Sequence, residues 1–239
     1  MTELLYLSDG YLQQFNARIL NVDRTNGSVT LDKSAFYPGG GGQPCDQGYL
    51  FLGGEKFRVE QVKKQGDEVL HFIRGDMPTL ENGLEVKGVI DWERRFSLMR
   101  THSAMHVLCS VVFRDYGASV TGGEMDVLKG RMDFEFESLK AELVKVIEDS
   151  VNREIKAGHT IIVKTLPREE AFKIPNLIRT KINLLPEGIR MVRTVEIEGL
   201  DLQADGGTHL SNTSEIGQVK VVDYKSKGAI NKRIYVEIT

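Results

Sequence analysis

Residues 91–112 read DWERRFSLMRTHSAMHVLCSVV, and this stretch separates two unlike parts of the chain. Its apolar residues recur at intervals of three and four, which predicts one long amphipathic helix. His102 and His106 are four residues apart within it, so both imidazoles project from the same helix face and can reach one ion. The stretch therefore predicts a helix together with half of a metal site.

The part before this helix consists of short runs in which apolar and polar residues alternate, punctuated by glycine and asparagine. Such alternation predicts strands, and Asn26-Gly27 and Asn82-Gly83 predict hairpin turns. Closing a sheet removes its exposed edges, so we expect a small antiparallel β-barrel domain over residues 1–90. The six predicted strands are residues 17–22, 28–32, 49–52, 56–62, 69–73 and 84–90.

The part after residue 90 mixes helical and strand periodicities, and we expect an α+β domain over residues 91–239. Its sheet should be mainly antiparallel and backed by two long helices, the second ending at Gly158. Pro167 is well placed to open a short helix. The other predicted elements are a strand at 132–136, the second helix at 139–156, and strands at 160–165, 189–197, 216–222 and 230–238.

Bulk composition favours an ordinary globular protein. The chain has 239 residues, of which 41% are hydrophobic and 27% charged, and no apolar run is long enough to cross a bilayer. The N-terminal segment has no basic region typical of a secretory signal, so we expect a cytoplasmic protein with no membrane partner. Cys45 and Cys109 are expected to be free thiols.

The net charge of −3 argues against indiscriminate binding of polyanions, which depends on neutralising phosphates. The sequence is still compatible with a local basic face. The alternative for each basic residue is that it belongs to a solvated surface of mixed charge. The candidate members of the basic face are Arg94, Arg95, Arg100, Arg114, Lys129 and Arg131 around the long helix, and Lys225, Lys227, Lys232 and Arg233 near the C-terminus.

A third histidine ends the segment DGGTH at residues 205–209. We expect Gly206 and Gly207 to let the backbone turn tightly, so that Asp205 and His209 aim at the same ion as the helical pair. Three protein ligands and a water are typical of catalytic zinc, whereas four protein ligands are typical of a closed structural site. Whether Asp205 is a tightly held fourth ligand therefore distinguishes a structural metal site from a catalytic site that performs hydrolysis.

Other candidates for this chemistry are excluded or left without a role. Ser103 follows the first histidine where a zinc peptidase would have its catalytic glutamate. Cys109 lies about 10 Å along the helix axis from His102, which is too far for a shared ion. His71 and His159 stand alone in the sequence, so we assign them no chemistry.

The run FYPGGGGQP at residues 36–44 is the second unusual feature. Its consecutive glycines allow close backbone approach, and their amides could donate to an anionic or carbonyl oxygen. The lysine and the Ser or Thr of a Walker A sequence are missing, which argues against nucleoside triphosphate binding. A flexible barrel loop is the alternative.

Several separated motifs occur in the order found in one family. They are LDKSAFYP at residues 31–38, GGGQ at 40–43, DWERR at 91–95, HSAMH at 102–106, RMDF at 131–134, DGGTH at 205–209, NT at 212–213 and EIG at 215–217. Over almost its whole length the chain resembles the freestanding alanyl-tRNA editing proteins of the AlaX type, in their medium-length form. It is similar also to the editing domain of alanyl-tRNA synthetase.

The resemblance implies a zinc-dependent aminoacyl-tRNA deacylase that removes serine or glycine wrongly attached to alanine tRNA. His102, His106 and His209 would be catalytic metal ligands. The family usually has cysteine where this chain has Asp205, which leaves open its role as a ligand and the preference for Zn²⁺ over harder divalent ions. The expected substrate-binding residues are Thr30, Ser34, Gly40, Gly41, Gly42 and Gln43, with Ser34 standing where threonine is common.

Two other functions remain open at this stage. One is a tRNA-binding module whose metal site is closed and structural, which a tightly held Asp205 would favour. The other is a metal hydrolase that acts on a different ester or amide. The sequence leaves the oligomeric state unspecified.

Overall fold

The computed structural model describes residues 1–179 and 188–239. They form two compact units, Met1–Ser97 and Leu98–Thr239, and the boundary falls inside the long helix α1 (Trp92–Tyr116). The fold class is α+β, as predicted. The division of the chain at residue 90 into domains with separate roles stays a prediction.

The first unit contains a closed six-stranded antiparallel barrel, which confirms the predicted architecture. Its strands follow the order β2-β3-β7-β6-β5-β8 around the barrel, and β8 pairs with β2 to close it. A short parallel pair, β1 with β4, accompanies it. The strands are β1 (Glu3–Leu4), β2 (Gln14–Asp23), β3 (Ser28–Leu31), β4 (Lys33–Ser34), β5 (Gly48–Leu52), β6 (Glu55–Gln65), β7 (Glu68–Ile73) and β8 (Glu85–Ile90).

Alternating burial along the strands explains why these sequences close into a barrel. Every second side chain in the first half of β2, in β7 and in β8 is buried, and these residues form one core with Leu31, Phe36 and Leu50. A strand with one apolar face gains stability only by burying that face, and closure buries it on all strands at once. The alternation of apolar and polar residues therefore favours closure of these strands into a barrel.

The two predicted hairpin turns have different outcomes. Asn26-Gly27 does lie between paired strands, but the loop spans residues 24–27 because Asp23 pairs with Ser28, and of these two residues only Gly27 has positive φ. The prediction at Asn82-Gly83 is wrong, since it precedes β8 on a connection from β7 and those strands are not neighbours in the barrel. The local turn signal is the same at both places, whereas strand order depends on long-range pairing.

The second unit combines helices with two antiparallel sheets. One sheet has the order β14-β15-β10-β9 and the other the order β11-β12-β13. The helix α2 ends at Gly158, which adopts the left-handed conformation at φ 72°, as predicted. The elements after α1 are β9 (Val120–Asp126), β10 (Lys129–Glu135), α2 (Ala141–Ala157), β11 (Ile161–Pro167), α3 (Arg168–Ala171), β12 (Met191–Ile197), β13 (Asp201–Ala204), β14 (Val219–Ser226) and β15 (Asn231–Ile238).

The helix α1 differs from the amphipathic helix that its sequence predicts. Every residue from Thr101 to Val112 is buried, so the middle of the helix has no solvated face. The buried polar residues in this segment are bonded: Thr101 donates to the Asp126 carbonyl at 3.1 Å, and Ser110 donates to the His106 carbonyl at 2.6 Å. Polar residues on one face of α1 therefore mark internal contacts rather than a surface.

Arg95 corrects the prediction of a basic face. It is fully buried, and its guanidinium forms an ion pair with Asp46 and donates to the carbonyl oxygens of Gly10 and Ala35. The buried Lys232 likewise donates to main-chain carbonyls at 2.7 Å. Four further candidates, Arg114, Arg131, Lys225 and Arg233, pair with neighbouring carboxylates.

Within residues 1–179 and 188–239, none of the helices combines the length and apolar composition that crossing a bilayer demands.

Candidate metal centre

Four predicted residues converge in the second unit. His102 and His106 come from α1, while Asp205 and His209 come from the segment after β13, and one ligand atom of each lies within 4.8 Å of all the others. The imidazole centroids of His102 and His209 are 4.1 Å apart, and those of His106 and His209 are 4.6 Å apart. Three nitrogen donors and one carboxylate in such a space are a donor set that divalent zinc accepts.

Asp205 lies among the three imidazoles. Its Oδ1 atom is 3.4 Å from His102 Nε2 and 3.9 Å from His106 Nε2, and its Oδ2 atom is 3.1 Å from His209 Nε2. The four donor atoms thus face a common point. The side chain of Asp205 is 13% exposed and that of His106 is 11% exposed, so solvent reaches the cluster at these two residues.

The protonation states of Asp205 and His209 favour the binding of a cation. Burial alone would raise the pKa of the Asp205 carboxyl, but His102 and the hydrogen bonds from the imidazoles hold that pKa well below its usual range. Burial, followed by the nearness of His102 and His106, lowers the pKa of His209 well below its usual range. A carboxylate and a neutral imidazole are the forms of these side chains that bind a metal.

Residues outside the predicted set hold Asp205 in place. The Gly207 amide donates to Asp205 Oδ2 at 2.6 Å. Arg193 Nη1 donates to the Asp205 carbonyl at 3.1 Å and lies 3.8 Å from its Oδ2. Such contacts orient a ligand and adjust its basicity. Arg193 precedes Asp205 by twelve residues on the paired strand β12, so only strand pairing could have indicated it.

The glycines of DGGTH do not adopt the left-handed conformation that only glycine takes up readily. Neither Gly206 nor Gly207 has positive φ, and a Cβ at Gly206 would meet nothing within 4 Å. At Gly206, therefore, neither backbone conformation nor space requires glycine. What the loop supplies is the Gly207 amide that binds the Asp205 carboxylate.

Ser103 has a role that the sequence did not indicate. Its hydroxyl oxygen lies 3.3 Å from His209 Nδ1 and accepts from the Leu210 amide at 3.1 Å. Ser103 occupies the position at which a zinc peptidase has its catalytic glutamate. In this protein it contacts His209, the third histidine of the cluster. A contact across 106 residues of chain leaves no local signal in the sequence.

Three of the expected substrate-binding residues, Thr30, Ser34 and Gln43, are buried in the first unit. Ser34 Oγ lies 2.7 Å from His71 Nε2 and accepts from the Phe36 amide at 3.1 Å. His71, to which no chemistry was assigned from the sequence, is thereby bonded to a candidate specificity residue. The contact of these residues with a substrate stays a proposal.

The glycine run forms a hydrogen-bonded turn. Gly39, Gly40, Gly41 and Gly42 all have positive φ, a conformation that side-chain-bearing residues rarely adopt. The amides of Gly40 and Gln43 donate to each other's carbonyl oxygens at 3.1 and 2.9 Å. Tyr37 closes the turn by donating its hydroxyl to the Gly40 carbonyl at 2.9 Å.

His71 gives a pH-dependent prediction. Burial lowers its pKa to about 4, against a partly opposing hydrogen bond to Val29. As the pH falls below about 6.5, the unfolded chain takes up a proton at this residue while the folded chain does not. We expect about 2 to 3 kcal/mol of stability to be lost between pH 6.5 and pH 4 through His71 alone.

The measurement is urea unfolding of the wild type and of His71→Phe at pH 7 and pH 4.5. The variant should show a smaller loss of unfolding free energy between the two pH values. Equal losses in both proteins would mean that His71 is protonated in the folded barrel.

The two cysteine thiols and His159 lie outside the metal cluster. Cys45 and Cys109 are free, as expected. Burial, together with the charge of Asp201, raises the pKa of Cys109 to about 12, so its thiol stays protonated. His159 lies 2.9 Å from Glu154 and 2.9 Å from the Glu198 carbonyl, away from the metal cluster.

Comparison with known proteins places these features in one class. Residues 9–94 match the family model of tRNA synthetases class II (A), and residues 192–235 match that of the threonyl and alanyl tRNA synthetase second additional domain. An alanine–tRNA ligase of Ignicoccus hospitalis is 39% identical over 92% of this chain, which spans only 24% of that enzyme. These matches place the chain in a class of proteins related to the threonyl and alanyl tRNA synthetases.

Full-length relatives give the family. The alanyl-tRNA editing protein AlaX-M of Saccharolobus solfataricus is 39% identical over 100% of this chain and 99% of its own length. The AlaX-M protein of Methanosarcina mazei is 37% identical over 100% of this chain and 97% of its own. The chain belongs to the AlaX-M family of alanyl-tRNA editing proteins.

Proposed function

We propose that this protein is a metal-dependent deacylase that hydrolyses the ester bond of Ser-tRNA(Ala) or Gly-tRNA(Ala). The observation that carries the proposal is the convergence of His102, His106, Asp205 and His209 in a chain of the alanyl-tRNA editing family. The partner is alanine tRNA carrying the wrong amino acid, and we place the reaction in the cytoplasm.

The metal would be held by the three histidines, with Asp205 as the fourth protein group. A bound Zn²⁺ ion would lower the pKa of water and polarise the ester carbonyl. With Nε2 of His209 as the donor atom, its Nδ1 carries the proton and donates to Ser103 Oγ. Arg193 and the Gly207 amide keep the Asp205 carboxylate turned toward the imidazoles.

The need for such an enzyme follows from the small difference between serine and alanine. An apolar synthetase pocket rejects an isostere with one added hydroxyl only about a hundredfold. A second site can select the hydroxyl by hydrogen bonding, because alanine would then leave buried polar groups unpaired. Ser34 and Gln43, with Thr30 as a further candidate, are the residues that we propose for this selection, with the glycine turn positioning the aminoacyl group.

The test is deacylation of tRNA(Ala) charged with serine, glycine or alanine by the purified protein. An editing enzyme should hydrolyse at least one of the two mischarged forms and spare Ala-tRNA(Ala). Equal hydrolysis of all three would instead support a general esterase. Binding of tRNA with no hydrolysis would support a binding module with a structural metal.

Asp205 gives a prediction about the metal. Carboxylate oxygen suits hard ions such as Mn²⁺, whereas thiolate suits zinc. We expect Asp205→Cys to raise the preference for Zn²⁺ over Mn²⁺ by about tenfold or more, measured by competition calorimetry on the metal-free protein. Asp149→Cys, at an exposed position of α2, is the matched control and should leave the preference unchanged. An unaltered preference in Asp205→Cys would place residue 205 outside the coordination sphere.

A further inference from the structure

Ser110 lies one helical turn after His106 on α1, and its side chain is buried. Its Oγ atom is 2.6 Å from the His106 carbonyl oxygen and 2.6 Å from Asp201 Oδ2, so the hydroxyl proton lies between two acceptors. The carboxylate is the stronger acceptor of the two. Asp201 is the first residue of β13, the strand that leads to Asp205. One hydroxyl therefore joins the two segments that supply the metal cluster.

The Asp201 carboxylate is itself fixed by other partners. Its side chain is 3% exposed, forms an ion pair with Arg179 through Oδ1 and accepts from Gln203 Nε2 at 2.6 Å through Oδ2. The guanidinium of Arg179 lies 4.0 Å from the centre of the Phe113 ring, which belongs to α1. A buried polar group whose partners are all in place is rigid. Asp201 thus offers Ser110 an acceptor of defined position.

The contact between Ser110 and Asp201 sets the register of β13 along α1. The eight residue steps from Ser110 back to His102 rise about 12 Å, at about 1.5 Å a residue. The four steps of extended chain from Asp201 to Asp205 span about 13 Å, at about 3.3 Å a residue. A strand fastened at Ser110 therefore brings Asp205 to the level of His102. The structure agrees, since Asp205 Oδ1 is 3.4 Å from His102 Nε2.

We propose that Ser110 is a positioning residue of the metal centre, which through Asp201 fixes the register of β13 on α1 and so places the Asp205 carboxylate among the imidazoles. The inference rests on one part of the proposed function, the binding of a divalent ion by the cluster, and it is independent of the tRNA and of the ester. It assigns the placing of Asp205 to a contact made by none of the four candidate ligand side chains.

The first test is the affinity of the metal-free protein for Zn²⁺, measured by competition with a chelator. Ser110→Ala removes the hydroxyl and leaves Asp201 with Arg179 and Gln203, so no buried charge loses its partner. We expect Zn²⁺ to bind about tenfold more weakly, the lower end of the range for contacts that orient a metal ligand. Ser150→Ala is the matched control, because Ser150 is a buried serine of the same unit but of α2, and its affinity should equal that of the wild type.

A double-mutant cycle with Asp205→Ala shows whether Ser110 acts through Asp205. In the Asp205→Ala background, Ser110→Ala should weaken Zn²⁺ binding by less than about twofold, because the carboxylate that it places is gone. Equal effects in the two backgrounds would overturn the inference, and so would wild-type affinity in Ser110→Ala alone.

Co²⁺ allows a second measurement, of geometry rather than affinity. Its visible absorption depends on the number and arrangement of its ligands, which a loss of fold stability alone does not change. Ser110→Ala should shift the spectrum towards that of Asp205→Ala, whereas Ser150→Ala should keep the wild-type spectrum. A wild-type spectrum in Ser110→Ala would contradict the positioning role.

These measurements separate the inference from the proposed function, because they use the metal ion alone. Failure of the wild type to deacylate either mischarged tRNA would reject the proposed function and leave the role of Ser110 intact. A wild type that binds neither Zn²⁺ nor Co²⁺ would overturn both.

Discussion

Replacement of both His102 and His106 with alanine is expected to lower deacylation of mischarged tRNA by about a thousandfold or more. The double variant removes two of the four groups that converge on one point, so the site should no longer retain a divalent ion. A metal supplies several kcal/mol of charge stabilisation in ester hydrolysis, and each 1.4 kcal/mol is about tenfold in rate. Turnover of Ser-tRNA(Ala) and metal content per chain are the two quantities to measure.

His159→Ala is the matched control for this variant. It removes the same side chain from the same unit, at a position bonded to Glu154 rather than to the cluster. Its turnover and metal content should stay close to those of the wild type. A double variant that loses its metal but keeps wild-type turnover would contradict a catalytic role for the ion.

The largest expected effect on stability comes from Arg95→Met. The guanidinium of Arg95 and the carboxylate of Asp46 are 0% and 1% exposed, and the same guanidinium satisfies two main-chain carbonyls. Removing one partner leaves a buried charge without compensation, which costs about 3 to 5 kcal/mol. The free energy of unfolding can be measured in urea from the fluorescence of Trp92, the single tryptophan, in the same unit.

An exposed pair in the same unit provides the comparison. Arg74 lies 3.3 Å from Glu60 with side chains 75% and 49% exposed, and Arg74→Met should cost no more than about 1 kcal/mol. The double variant Arg95→Met/Asp46→Leu should recover part of the loss, because no unpaired charge remains. A cost for Arg95→Met as small as that for Arg74→Met would mean that the ion pair is hydrated.

The sequence predicts the parts of the site and the fold that have a local period. The helical spacing of His102 and His106 brings their imidazole centroids to 5.0 Å. Asp205 and His209 join them as expected, although this long-range contact was indicated by residue type and by the family resemblance rather than by a local period. Period-two alternation likewise locates all six barrel strands to within a few residues. In each case neighbouring residues along the chain specify which side chains share a face.

Other features set by distant residues could not be predicted. Arg95 was expected on a surface because nothing near it in the chain shows that Asp46, 49 residues earlier, shares its interior. The strand β9 was missed because Gly122 and Gly123 favour a turn, although their backbones pair with β10. The partner of His71, Ser34, lies 37 residues earlier in the chain, in β4.

Hydrolysis of Ser-tRNA(Ala) by the protein before and after removal of its metal tests the central claim most directly. Chelation should abolish turnover, and adding back Zn²⁺ or another divalent ion should restore it in proportion to occupancy, reaching a maximum at one ion per chain. Undiminished turnover by protein shown to be free of metal would contradict the claim that the His102, His106, Asp205 and His209 cluster is a catalytic metal centre.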